Sequence, residues 1–171
     1  GTSYGISLIN IKEDKILNLV GSKSGSQEFS SLNVGQVYKD SRGLIWIGTR
    51  EGLNIYNPKT DEIKILRVKD GLSSDLISGI VEDSDKNMWI STSNGVTNIS
   101  LMLDKKSGAY VYSFVVYDDN DGLQNAEFNQ RSIKALSNGD ILMGGLYGVN
   151  YCNPHHIKHN KIAPNVIFTG I

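Results

Sequence analysis

The stretch DSRGLIWIGTREGLNIYN, Asp40 to Asn57, decides how this chain folds. A strand with one wet face alternates apolar and polar residues, because successive side chains point to opposite sides. Leu44, Ile45, Trp46 and Ile47 do not alternate, so the strand they predict must be covered on both faces. The flanking segments are rich in Asp, Lys and Ser, so the cover has to come from elsewhere in the chain.

Sliding the chain against itself supplies it. VEDSDKNMWISTSNGVTNIS, Val81 to Ser100, matches YKDSRGLIWIGTREGLNIYN at an offset of 43, which superposes Asp40 on Asp83, Trp46 on Trp89, Thr49 on Thr92 and Gly52 on Gly95. ALSNGDILMGGLYGVNYCN, Ala135 to Asn153, repeats the frame 53 residues further on, with Leu142 at the Trp position and Gly148 at the Gly52 position. The opening GTSYGISLIN also fits, placing Gly5 on Gly52, so the chain holds four copies and the first begins in mid-repeat.

Repeats of about 40 to 50 residues rich in short strands signal propeller blades, small four-stranded sheets that bury their faces by stacking. The expected fold class is therefore all-β, a partial β-propeller of antiparallel blades. In the second copy strands are predicted near Val34–Tyr38, Leu44–Thr49, Leu53–Asn57 and Ile63–Val68. The third copy gives Ile77–Glu82, Met88–Thr92, Val96–Leu101 and Tyr110–Tyr117; the last gives Ser132–Ala135, Ile141–Gly145 and Val149–Asn153. REG, SNG and LYG, between the second and third strands of each copy, read as tight turns in which Gly takes a positive φ.

Composition bounds the function classes. Lys and Arg number 17 against 18 Asp and Glu, a net charge of -1 with no basic block, so the usual nucleic-acid footprint is missing. Cys152 is the sole cysteine, which rules out an intrachain disulfide. No apolar run is long enough to cross a bilayer.

WIGTREGLNIYN, DGLSSDLISGIVEDSDKNMWISTSNGV and the second DGL at Asp121 to Leu123 resemble the two-component-regulator propeller repeat, with its Trp, Gly-Thr, Gly-Leu turn and DGL loop. DGLQNAEFNQRSIKALSNGDILMGGLYGVNYCNP resembles the final blade of the periplasmic sensor region in hybrid two-component systems of gut bacteria, and APNVIFTGI resembles the first strand of the immunoglobulin-like YYY sandwich that follows it. Ser91, in place of the Gly of Gly-Thr, and Leu142, in place of Trp, depart from the pattern. The resemblance implies propeller repeats over residues 1–160 and a sandwich strand over 161–171. It further implies a membrane-anchored, periplasmic sensor histidine kinase that responds to oligosaccharides and regulates polysaccharide utilisation, with kinase and DNA-binding parts outside this chain.

Candidate sites are few. His155, His156 and His159 lie in one loop, NPHHIKHN, and read as solvated rather than as three convergent metal ligands. DSDKN, Asp83 to Asn87, begins like a calcium loop but has Met88 where Gly is required and Asn94 where Glu is required. GGLYG lacks dinucleotide spacing and a following helix, and no nucleophile elbow is present. No metal, cofactor or catalytic residue is therefore expected, and Cys152 reads as a small core residue.

The leading expectation is a noncatalytic sensing module. The alternatives are a propeller enzyme, a lyase or glycan-cleaving one, and a structural stack of blades that pairs subunits. Any ligand is expected at the end carrying the turns between second and third strands, where Arg50, Glu51, Asn94 and Tyr147 combine hydrogen-bonding groups with an aromatic face suited to a sugar. Open blade faces at both ends of the stack predict self-association, most simply as a homodimer.

Overall fold

The computed structural model describes residues 6–10, 15–19, 29–124 and 127–157. The expected sandwich strand at 161–171, and His159, lie outside them. Four antiparallel sheets follow one another along the chain. The first repeat contributes β1 (Ile6–Asn10) and β2 (Lys15–Leu19), the last two strands of a blade. The second forms a meander of β3 (Val34–Lys39), β4 (Ile45–Thr49), β5 (Leu53–Asn57) and β6 (Glu62–Leu66). The third repeats it with β7 (Ile77–Glu82), β8 (Met88–Thr92), β9 (Val96–Leu103) and β10 (Tyr110–Tyr117). The fourth has β11 (Phe128–Ala135), β12 (Ile141–Gly145) and β13 (Gly148–Cys152).

The two-faced apolar strand is explained by its neighbours. Leu44 and Trp46 enter a core shared with Ile77, Ile80, Met88 and Ile90 of the third repeat. Ile45 and Ile47 point the other way, to a second cluster with Tyr56, Val34 and Ile63. β8 behaves identically: Met88 and Ile90 face back to the second repeat, while Trp89 faces forward to Phe128, Ile133, Ile141 and Met143 of the fourth. Strand period two combined with cover on both sides produces the unbroken apolar run.

The Trp is fixed from both ends of its polarity. Trp46 is wholly buried, and its indole N–H needs an acceptor. Asp40 Oδ2 provides it at 2.9 Å, while Asp40 Oδ1 accepts the Leu44 and Arg42 amides at 2.9 and 3.0 Å and so closes the β3–β4 hairpin. Asp83 makes the same bonds to the Trp89 indole at 2.8 Å and to the Asn87 and Asp85 amides at 2.8 and 2.9 Å. In the fourth repeat both partners change together: Leu136 takes the Asp position, marked by the same hairpin bonds, and Leu142 the Trp position. Ser91 is tolerated at its Gly position because Gly79, its cross-strand partner, leaves it room.

Several predicted boundaries move. Val68 is not in β6 but in a 3-10 turn, Val68–Asp70, because Asp70 Oδ2 captures the Arg67 amide at 3.0 Å and Asp75 Oδ1 the Val68 amide at 2.8 Å. β11 begins four residues before the predicted Ser132, carried through the polar NQRS run by a bulge between Phe128 and Ile133. Within that bulge Arg131 adopts φ +60° and donates to Gly35 O at 2.8 Å. Asn153 leaves β13 to cap a 3-10 turn, Pro154–His156.

Candidate functional site

Three hairpin turns, β4–β5, β8–β9 and β12–β13, occupy the same end of successive sheets. A Thr–Gly frame builds the first two. Thr49 Oγ1 donates to Gly52 O at 2.8 Å and accepts the Glu51 amide at 3.1 Å; Thr92 does the same with Gly95 O at 3.0 Å and the Asn94 amide at 3.0 Å. Gly is required on two counts. Gly95 has φ +97°, and a Cβ there would stand 2.5 Å from the Tyr117 carbonyl oxygen of β10.

Each turn is also tied to the loop that leads into its own inner strand. Ser30 and Ser73 hydroxyls reach Thr49 and Thr92 at 2.9 and 3.0 Å. The amides of Ser30 and Ser73 are held by Asn54 Oδ1 at 2.8 Å and Thr97 Oγ1 at 2.9 Å, and in the fourth repeat Gln124 N–H is held by Asn150 Oδ1 at 2.8 Å. Ser93 adds an amide bond to Leu76 O at 3.2 Å and a hydroxyl bond to Ser74 at 2.9 Å. These bonds hold each turn and its neighbouring loop as one unit, so the side chains between them project from a fixed frame.

Arg50, Glu51, Asn94 and Tyr147 all sit on these turns and all are exposed, Tyr147 by 69%. They share an end of their sheets. Tyr147 borders a shallow surface concavity lined by Gln124, Gly145, Gly148 and Asn150. Gln124 and Asn150 were absent from the sequence-based candidates. The signal for Asn150 was its place in the repeat, which matches Asn54 and Thr97, while Gln124 follows the second DGL.

The opposite end of the sheets carries charge of a different kind. Arg42 pairs with Asp40 at 2.9 Å and Glu82 at 3.4 Å, and donates to Lys86 O at 2.7 Å, so it clamps the β3–β4 hairpin to the β7–β8 hairpin. Glu82 also accepts from the Ser41 amide and hydroxyl, each at 2.8 Å. His155 lies 3.4 Å from Asp85 and 3.4 Å from Ser84, and among the described residues no three His, Cys, Asp or Glu side chains converge as a metal site. Cys152 packs at the margin of the forward core, where burial pushes its thiol pKa up, away from thiolate reactivity.

Residues 28–51 and 71–94 match the two component regulator propeller family. Over 99% of its length the chain is 29% identical to histidine kinase P4 of Formosa agariphila, of which it spans 12%. Its fold is similar to the extracellular domains of two hybrid two component systems of B. thetaiotaomicron. The first superposes with a TM-score of 0.68 at 22% identity, over 90% of this chain and 19% of that one. The second gives 0.64 at 22% identity, over 95% and 20%.

Proposed function

For a chain that carries two-component regulator propeller repeats, we propose the role of a noncatalytic sensor module in the periplasmic region of a membrane-anchored hybrid histidine kinase. The turn-bearing end of its blades takes an oligosaccharide. The observation that carries this reading is the repeated lock between each turn and its inner-strand loop, which presents exposed polar and aromatic groups from a rigid frame. Arg50, Glu51 and Asn94 offer charged and amide hydrogen-bonding groups, and Tyr147 offers a flat ring that lines one shallow concavity with Gln124 and Asn150. That mixture suits a sugar, which presents hydroxyls at its edge and C–H groups on its face.

Titration calorimetry of the chain against a panel of glycan-derived oligosaccharides tests it. One member of the panel binds without being consumed, and Arg50→Ala and Tyr147→Ala each weaken it about tenfold, or 1.4 kcal/mol. Unchanged affinity in both variants would remove this end from the site. Turnover abolished by a single carboxylate or His substitution would replace sensing with catalysis.

A further inference from the structure

The tripeptide Ser-Asn-Gly occurs twice in this chain, at 93–95 in the β8–β9 turn and at 137–139 in the β11–β12 turn. Asparagine before glycine is a labile step, because the glycine amide reaches the asparagine side-chain carbonyl carbon with no side chain of its own in the way. The same three residues give the two steps the same intrinsic reactivity, so a difference between them comes from the fold. Exposure does not separate them, since Asn94 and Asn138 are both exposed.

Hydrogen bonding does. At 137–139 each reacting group is held: Gly139 N–H donates to Leu136 O at 3.0 Å, Asn138 Nδ2 donates to Asp140 Oδ2 at 2.6 Å, and Asn138 Oδ1 accepts the Asp140 amide at 3.2 Å. A bonded amide keeps its proton, and a side chain tied at both ends to Asp140 does not swing onto Gly139. At 93–95 the bonds fall on other atoms. Thr92 Oγ1 accepts the Asn94 backbone amide at 3.0 Å, and Gly95 O accepts the Thr92 amide and hydroxyl at 3.0 Å each. Among the described residues the Gly95 N–H and the Asn94 side chain have no hydrogen-bond partner. The two Asp-Gly steps follow the protected pattern, with Gly71 and Gly122 N–H donating to Val68 O and Asp119 O at 3.0 and 3.2 Å.

We propose that Asn94 is a site of spontaneous deamidation, with water as co-reactant, and that the hydrogen bonds of Asn138 protect the matching step in the fourth repeat. Hydroxide takes the Gly95 amide proton, and the amide nitrogen forms a bond to Asn94 Cγ. The Cγ–Nδ2 bond breaks, and the nitrogen takes a proton from water and leaves as ammonia. Water then opens the succinimide ring. Attack at Cγ leaves an aspartate at position 94; attack at the backbone carbonyl leaves an isoaspartate, whose main chain is longer by one methylene. The first product places a carboxylate on the turn where a neutral amide stood. The second also shifts Gly95 O away from Thr92, which undoes the Thr–Gly frame. The reaction is independent of any ligand at this end of the sheets.

Peptide mapping by mass spectrometry tests this on the folded chain aged in mildly alkaline buffer, with isoaspartate read by enzymatic methylation. The amide-to-acid mass gain and the isoaspartate signal should build up at position 94 at least about tenfold faster than at 138, because the Asn138 step must first open its bonds. In urea the two steps should react at similar rates, and Asn94→Gln, a change at an exposed position, should remove the fast signal. Three results overturn the proposal: equal rates at 94 and 138 in the folded chain; a faster reaction at 138; and a 94-to-138 ratio that is the same in urea as in the folded chain, which would assign the difference to sequence alone.

Discussion

The buried carboxylate of Asp40 accepts the indole N–H of Trp46 at 2.9 Å, and the fourth repeat dispenses with both groups at once by carrying Leu136 and Leu142. The two are coupled: without Asp40 the buried indole has lost its acceptor, and without Trp46 the carboxylate has lost one of its donors, though Arg42 and Leu44 still bond it. Asp40→Leu and Trp46→Leu should each lower stability by about 3 kcal/mol. The double variant should fall short of their sum by about 1–2 kcal/mol, measured by urea unfolding as a double-mutant cycle. Strict additivity would mean the bond adds nothing to the packing.

Gly43 and Gly95 separate conformational strain from collision. Both have positive φ, but a Cβ on Gly43 meets nothing within 4 Å, while on Gly95 it lies 2.5 Å from Tyr117 O. Gly43→Ala should cost about 1 kcal/mol and Gly95→Ala about 3 kcal/mol or more, because β10 must shift to admit the methyl group. Equal losses in chemical denaturation would show that the turn moves independently of the fourth strand.

Ser91 is buried, and its hydroxyl has no hydrogen-bond partner among the described residues. Ser91→Ala removes the unsatisfied group and keeps the Cβ that packs beside Gly79, so it should raise stability by about 1 kcal/mol. A loss of stability on thermal or urea unfolding would reveal a partner for the hydroxyl.

Asp140 and Tyr151 shift each other's titration in opposite directions. The Tyr151 hydroxyl donates to Asp140, and the Asn153 and Asn138 amides add to it, holding the carboxyl below its ordinary 3.8; the same bond holds the Tyr151 phenol above 10.0. A carboxyl depressed on folding stabilises above its unfolded pKa and loses that contribution as pH falls through the folded value. The fourth repeat should therefore weaken below about pH 4 as Asp140 is protonated, and again above pH 10 as the raised Tyr151 phenol ionises. Tyr151→Phe should raise the Asp140 pKa in a carbon-detected NMR titration; an unmoved value would deny the bond its role. Tyr112, pushed up to about 12 chiefly by burial, acts at the other end of the scale. Its contribution is present below pH 10 and is lost between about 10 and 12.

The repeat frame was legible because propeller packing imposes the same demand on each sheet. Trp46 and Trp89 recur with Asp40 and Asp83 for a bond, and Gly52 and Gly95 for a carbonyl, and both leave fixed spacing in the sequence. Bulges leave no such trace: the NQRS run reads as a polar loop until Arg131 is seen bonding Gly35 in another sheet. The candidate site was readable as turns and not as a surface. Arg50, Glu51, Asn94 and Tyr147 follow from the frame, whereas Gln124 joins Tyr147 through tertiary contacts, the Asn150 bond, which spans 26 residues, and the space left by Gly148.

The account rests on one end of the blades facing a ligand, and amide chemical-shift mapping with the oligosaccharide that binds tests that most directly. It predicts shifts gathered at residues 50–51, 93–94, 124 and 146–150, with the sugar recovered intact. Shifts gathered instead around Arg42, Lys86 and Asn138 at the opposite hairpins, or a cleaved product in the tube, would contradict it.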